Sequence, residues 1–195
     1  ALALLDADGQ PVLRLPQAGD VLAIPRNGAP SSLILKPDNE NLPGIVENEA
    51  YCLALARAVG IEAAQATIAP AGNRKALCVL RYDRRLSEQG RVLRLHQEDF
   101  AQANGVPPGR KYEHGTLAGP SLAQILATGH RLPPKDALAL LDQVLFNILV
   151  ANTDAHAKNY SILRPVGGGL HLAPLYDVST VLAWDHVVQL LAQKI

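Results

Sequence analysis

Asn152-Thr153-Asp154-Ala155-His156-Ala157-Lys158-Asn159, with Pro174-Leu175-Tyr176-Asp177 after it, is the part of this 195-residue chain whose reading decides the fold. It sets an Asp and an Asn five positions apart and then a second Asp just beyond a short hairpin. Phosphoryl transfer uses this spacing. One carboxylate accepts the proton of the attacking hydroxyl, while an amide oxygen and a second carboxylate hold Mg²⁺ against the phosphates. Asp154 suits the first role; Asn159 and Asp177 suit the other two. Asp and Asn also gather in loops simply because they cap and turn the backbone. What sets this stretch apart is its place, directly after a long apolar helix and directly before an apolar strand.

Working outward, Asp136–Ala151 predicts a buried helix, interrupted by Asp142, Gln143 and Asn147 and too short to cross a bilayer. Ser121–Thr128 predicts a helix with Ser121 near its N-cap. Gln97–Asn104 predicts a short helix closed by Gly105, and Gly109–Tyr112 an ordered loop after Pro107-Pro108. Tyr160–Leu163 and Gly169–Leu172 predict a hairpin around three glycines, and 187–195 suits helix or strand equally. The first part of the chain is β-rich. Leu2–Leu5 turns at Asp8-Gly9 into a return strand at Val12–Leu15. Ser32–Lys36 is a third strand, and Pro43–Val59 a helix bounded by Pro43 and Gly60. Ala64–Ala69, Ala76–Arg81 and Arg91–Leu95 complete the strands. The expectation is an α+β chain of two lobes, a β-rich N-lobe over 1–83 and a helical C-lobe over 84–195.

Apolar residues make up 48% of the chain, which marks it as globular. Acidic and basic residues balance, 18 against 18, so charge argues neither for nucleic acid nor for an anionic membrane. Cys52 and Cys78 sit in apolar runs without metal-ligand spacing and read as small buried hydrophobes of a reduced compartment. No signal peptide is visible. The start at Ala1 and the lack of any Met lead us to expect a piece of a longer protein.

Lys36 ends an apolar strand, where a lysine can simply snorkel to water. Glu49 lies on the following helix with Ile45, Cys52, Leu53 and Ala56 as neighbours on its face. A carboxylate on an apolar face needs a partner. A strand Lys paired with a helix Glu is the arrangement that directs a lysine to the α- and β-phosphates of ATP. His156 is expected to brace the loop or the metal-binding Asp through a hydrogen bond, since no further metal ligands are spaced around it. Lys158 is placed to neutralise a transferring phosphate, or else is a solvated surface charge. Leu80-Arg81-Tyr82-Asp83 follows a sheet strand, where backbone groups can meet adenine. Tyr82 can then cover the ring and Asp83 reach the ribose; an ordinary polar strand end is the other reading. No glycine-rich loop of the G-x-G-x-x-G or Walker type is present, which counts against a complete nucleotide site.

The segments Leu35-Lys36-Pro37-Asp38, Val46-Glu47-Asn48-Glu49-Ala50-Tyr51-Cys52, Arg81-Tyr82-Asp83-Arg84-Arg85, His96-Gln97-Glu98-Asp99-Phe100, Lys111-Tyr112-Glu113, Asn152–Asn159 and Leu172–Asp177 together resemble the HipA family. These are serine/threonine kinase toxins of bacterial toxin–antitoxin systems. The resemblance runs in order from the start of the chain to about residue 180. It implies a two-lobed kinase fold, distantly like phosphoinositide kinases, truncated here at both ends. It implies that Lys36 contacts the ATP phosphates, that Leu80–Tyr82 is the hinge, and that Asp83 and Gln97 lie near the nucleotide. Asp154 is then the base, and Asn159 and Asp177 are Mg²⁺ ligands. Family members phosphorylate a serine of an aminoacyl-tRNA synthetase, usually the glutamyl enzyme, and cause growth arrest and persistence. A small helix-turn-helix antitoxin, HipB-like, binds the toxin and represses the operon on DNA.

The resemblance further implies a cytoplasmic bacterial protein that meets DNA only through its antitoxin. The family's phosphate-binding loop, a Ser-x-x-Gly-x-x-x-Lys-like segment, precedes the strand written here as Leu2–Leu5. The chain alone is therefore expected to be nearly inactive. Two other readings stay open at this point. One is a small-molecule kinase similar to aminoglycoside or choline phosphotransferases. The other is a kinase-like binding module without catalysis.

Overall fold

The computed structural model describes residues 1–114, 118–165 and 167–194. The chain forms two compact units, Ala1–Tyr51 with Ala64–Leu95, and Cys52–Ala63 with His96–Ile195.

The first unit is built on a three-stranded antiparallel sheet of β3 (Leu33–Pro37), β5 (Arg74–Leu80) and β4 (Ala66–Ala71), with β5 in the middle. The central place of β5 explains its run of buried residues from Ala76 to Val79. Lys36 pairs with Leu77 in the register of β3 on β5. Between β3 and β4 runs helix α1 (Ile45–Ala58), assigned to this unit as far as Tyr51 and to the second from Cys52 on, and closed at Gly60, whose φ of +89° only glycine adopts readily. The expected return strand at Val12–Leu15 does not form. β1 (Ala3–Leu5) pairs instead with β2 (Val21–Ala23). Val12 keeps one bond, its N–H to the Leu4 carbonyl at 3.0 Å. Pro11 and Pro16 flank a stretch too short to extend that ladder, and Arg14 turns away to chelate Asp20. β1 joins the main sheet through a bridge from Leu2 to Leu33.

Residues 84–95, which the reading of the sequence assigned to the helical lobe, belong to the first unit. They form the hairpin β6 (Arg84–Leu86) and β7 (Val92–Arg94). Arg84 Nε donates to the Ser31 carbonyl at 2.8 Å, and Leu95 N–H to the Asp83 carbonyl at 3.0 Å, which ties the hairpin to the sheet.

The second unit packs helices on a small sheet of β8 (His96–Asp99), β9 (Ser161–Arg164) and β10 (His171–Leu172). The expected helix at Gln97–Asn104 is only its last part. Gln97 lies on β8, and α2 (Phe100–Ala103) begins after Asp99, whose side chain caps it reciprocally with Gln102. α3 (Leu122–Gly129) starts at the Ser121 cap, in a capping box with Gln124. α4 (Pro134–Leu149) has Pro in its first turn. It is not buried all round as expected: Leu140, Gln143, Val144, Phe146 and Asn147 face inward, whereas Leu138 and Leu149 are 66% and 82% exposed. Phe100, Ile125, Leu140, Tyr160 and Ile162 make the core of this unit. Residues 187–194 adopt neither helix nor strand. Among the described residues no helix is long and apolar enough to cross a membrane.

Candidate active site

The loop that decides the sequence reading hangs from the end of α4. The helix stops at Leu149, and Ala151 takes a left-handed conformation, φ 54°. Asn152, 1% exposed, then locks the turn: its amide donates to Asn147 Oδ1 at 2.7 Å and its Oδ1 accepts the Asp154 N–H at 3.2 Å. Asn147 is itself held, its Nδ2 reaching the Gln143 carbonyl at 3.0 Å and the Tyr160 hydroxyl at 3.3 Å. Of the polar residues that interrupt the apolar pattern of α4, Asn147 is therefore the anchor of the loop, while the Gln143 side chain donates to the Ala173 carbonyl at 3.0 Å and Asp142 is exposed. Asp154 emerges with its side chain 57% exposed, in the position of a base that can reach an incoming hydroxyl.

Ala157–Asn159 form one 3-10 turn, which brings Asn159 back under the loop. Asn159 Nδ2 donates to Asp177 Oδ2 at 3.2 Å and approaches the Asp177 carbonyl at 3.4 Å. With the nitrogen committed to Asp177, the amide oxygen points away from that carboxylate, and Asn159 Oδ1 is buried without a hydrogen-bond partner. Asp177 holds a left-handed backbone, φ 56°. A buried, orphaned amide oxygen beside a carboxylate fits a hard cation. Among the described residues no three His, Cys, Asp or Glu side chains cluster as a metal site. One carboxylate and one amide are the small protein share that suits Mg²⁺, which fills its octahedron with water and phosphate oxygens.

A directed hydrogen-bond chain pins this pair. Tyr176 donates its hydroxyl to the Lys158 carbonyl at 2.7 Å. Its single proton is then used, so the 2.6 Å contact with Ser161 Oγ must have the serine as donor. Ser161, 1% exposed, accepts in turn from Gln97 Nε2 at 3.0 Å. Gln97, expected near the nucleotide, is thus the far end of a brace that fixes the residues preceding Asn159 and Asp177. Lys158 is half-buried in the 3-10 turn.

His156 departs from its expected role. Its Nε2 is 3.7 Å from Asp154 Oδ1, too long for a hydrogen bond, and its buried Nδ1 has no partner. The ring packs edge-on against Tyr112, centroids 5.1 Å apart. Burial, reinforced by the charge of Lys111, pulls its pKa below the ordinary histidine value although Asp154 opposes the shift. His156 is a neutral spacer rather than a hydrogen-bonding brace. Tyr112 was missed as a site residue. Its hydroxyl donates to Asp154 Oδ1. Its own carbonyl accepts the Gly119 N–H at 2.6 Å. A Cβ on Gly119 would lie 2.1 Å from the Arg110 carbonyl oxygen, so only glycine permits this approach. The motif Lys111-Tyr112-Glu113 was the one signal in the sequence that pointed here.

In the first unit Lys36 Nζ meets Glu49 Oε1 at 2.7 Å, as the pattern of strand and helix predicts. The Glu49 side chain is 8% exposed and that of Lys36 32%, so the carboxylate is sheltered while the ammonium keeps access to solvent. The expected hinge is less open. The Leu80 N–H is spent on the Gln65 carbonyl at 2.8 Å and that of Arg81 on the Ser32 carbonyl at 2.9 Å. Tyr82 is half-buried. Asp83 is buried in a clamp, bidentate with Arg81 at 2.9 and 2.6 Å and held by Arg84 at 2.6 Å. Both carboxylate oxygens serve the fold, and these contacts do not support the expected reach to a ribose.

A family model described as the HipA-like C-terminal domain matches residues 6–195. The chain belongs to that family. Within it, the chain is 41% identical over 177 residues to Y4mE of Sinorhizobium fredii, covering 89% of this chain and 41% of that protein. It is 34% identical over 198 residues to the serine/threonine-protein kinase toxin HipA of Shewanella oneidensis, covering 95% of this chain and 45% of the toxin. The HipA-like chain thus spans less than half the length of the relatives it matches. The solved structure of Shewanella oneidensis MR-1 HipA with HipB and operator DNA aligns with TM-score 0.80 and 30% identity, over 94% of this chain and 45% of that one. The Helicobacter pylori kinase CtkA aligns with TM-score 0.55 at 15% identity, over 75% of this chain and 49% of that one, a likeness of fold. The expected HipA-like, α+β kinase fold is therefore the fold observed.

Proposed function

We propose that this HipA-like chain carries the catalytic residues of an ATP-dependent serine/threonine protein kinase, the toxin of a toxin–antitoxin pair. The observation that carries the reading is the Asn159–Asp177 pair, with Asn159 Oδ1 buried and unpartnered on the same loop that presents Asp154. Asp154 takes the proton of the acceptor hydroxyl. Asn159 and Asp177 hold Mg²⁺, which when bound neutralises charge on the phosphates. Lys158 adds positive charge beside the base, and the Lys36–Glu49 pair presents an ammonium of the kind that binds ATP phosphates. Kinship with the HipA toxin supports a serine/threonine kinase toxin; a bacterial cytoplasmic protein whose acceptor is a serine of an aminoacyl-tRNA synthetase rests on the family resemblance and is part of the proposal. The HipA neighbour solved with HipB and operator DNA supports a HipB-like antitoxin as partner.

The test is transfer of label from γ-³²P-ATP to bacterial lysate proteins, with the chain joined to the upstream phosphate-binding segment that the resemblance implies. A labelled protein band is expected, and Asp154→Asn should reduce its labelling by about 10²-fold or more while sparing nucleotide binding. Label that appears only in small metabolites, or labelling unchanged by Asp154→Asn, would overturn the reading.

A further inference from the structure

We propose that the segment Arg110–Glu113 fills the acceptor site from within the chain, with the Tyr112 hydroxyl standing where a substrate hydroxyl would stand. This rests on the reading of Asp154 as the base. A general base works on a hydroxyl within hydrogen-bond reach of its carboxylate, and Tyr112 Oη meets Asp154 Oδ1 in that way. An extended peptide docks by main-chain bonds beside the reacting residue as well as by its side chain. Here the Ala157 N–H, on the catalytic loop, donates to the Lys111 carbonyl at 3.3 Å, one residue before the tyrosine. The His156 ring makes the wall of this seat, edge-on to the Tyr112 ring. The segment is held in it by three further contacts. The Tyr112 carbonyl accepts from Gly119 N–H at 2.6 Å, Glu113 N–H donates to the Ala192 carbonyl at 3.0 Å, and Glu113 Oε2 accepts from Lys194 N–H at 2.9 Å.

Burial and the neighbouring Asp154 carboxylate raise the Tyr112 phenol above its ordinary pKa, so it stays protonated and acts as a donor. A donor already seated on Oδ1 competes with the proton of any incoming acceptor. The seat is near the surface, since the Asp154 side chain is 57% exposed and Tyr112 is half-buried. The ligand class of the vacated seat is a hydroxyl-bearing side chain on a peptide, with the carbonyl before it facing the Ala157 N–H. Water is the smallest occupant. Its oxygen would then bond to the γ-phosphorus as the bond to the β–γ bridging oxygen breaks, ADP leaves, and Asp154 takes the proton.

Two reactions test this on the purified protein supplied with the upstream phosphate-binding segment that the resemblance implies: MgATP hydrolysis without acceptor, read as ADP released, and transfer to dephosphorylated casein. Tyr112→Phe keeps the ring against His156 and removes only the hydroxyl. It should raise hydrolysis by at least about threefold and lower the KM for casein, with the KM for ATP unchanged within about twofold. Asp154→Asn, alone or combined with Tyr112→Phe, should hold both reactions at background. A Tyr112→Phe variant with equal or lower turnover overturns the proposal, as does the absence of turnover in both wild type and variant. A drop in kcat at unchanged casein KM would make Tyr112 a positioning residue for the base. Wild-type turnover in Asp154→Asn would instead overturn the assignment of the base, and the two failures are thereby told apart.

Discussion

The orphaned oxygen of Asn159 makes the sharpest demand at the level of single residues. Asp177→Ala removes the carboxylate and also frees Asn159 Nδ2, which now points at Asp177. The amide then keeps only its 3.4 Å approach to the backbone carbonyl of that residue and is less firmly oriented, so both proposed Mg²⁺ ligand atoms are affected together. MgATP affinity, read by titration calorimetry, is expected to fall on the order of tenfold or more, whereas Asp154→Asn should leave it unchanged. Equal losses in the two variants would show that the base and metal roles are not separate. His156 makes a different demand. Its folded pKa lies below the ordinary value because burial disfavours the charged ring. The unfolded chain therefore binds the proton first as pH falls, so the histidine's contribution to stability is complete above about pH 6.5 and is lost as pH drops through its folded pKa. Between pH 7.5 and 5 the urea midpoint of the wild type should fall more than that of His156→Gln. Parallel curves would mean that the ring titrates as it does in water.

Among the elements, the brace from β8 to the catalytic turn is the part most open to measurement. Tyr176→Phe leaves the Lys158 carbonyl without its donor and the Ser161 hydroxyl without its acceptor. A loss of about 1–3 kcal/mol is expected by chemical denaturation, along with weaker MgATP binding, because the turn before Asn159 loosens. A loss of stability with full nucleotide affinity would confine Tyr176 to the fold. This brace also shows how far the sequence could be read. The meeting of Asn159 with Asp177 on the loop that carries Asp154 was legible because the separations are short and the proposed chemistry demands particular residue types. The Lys36–Glu49 pair was legible because a carboxylate on the apolar face of α1 called for a cation nearby. Tyr112 was not, since its partner lies 42 positions away and the route depends on loop geometry around Gly119. The partner of β1 was missed for a related reason: three-residue strands carry no usable alternation, and the prolines hid which return path the chain takes. Gln97 was placed on a helix because its strand runs into α2 at the Asp99 cap with no break in polarity.

For the molecule as a whole, charge and kinship point to one division of labour. With 18 basic against 18 acidic residues the chain has no excess positive charge to bring to a phosphate backbone. At about 0.15 M salt it should not retard an operator duplex alone, and should do so only with a HipB-like partner present. Retardation by the chain alone would refute DNA contact through the antitoxin only. Two backbone positions carry a further consequence for the stability of the whole. Ala151 and Asp177 both hold the left-handed region, φ 54° and 56°, without being glycine. For alanine that costs about 1–2 kcal/mol and for aspartate less. Ala151→Gly should therefore raise the melting temperature and leave transfer intact. Asp177→Gly would relax the same kind of strain while deleting the carboxylate that we propose holds Mg²⁺. A laboratory selection for heat resistance alone would treat the two positions alike, and would drift toward a sturdier protein that no longer works. A selection that also demands activity should accept glycine at 151 and refuse it at 177, and that asymmetry between two equally twisted residues would record where the chain keeps strain for the sake of its chemistry.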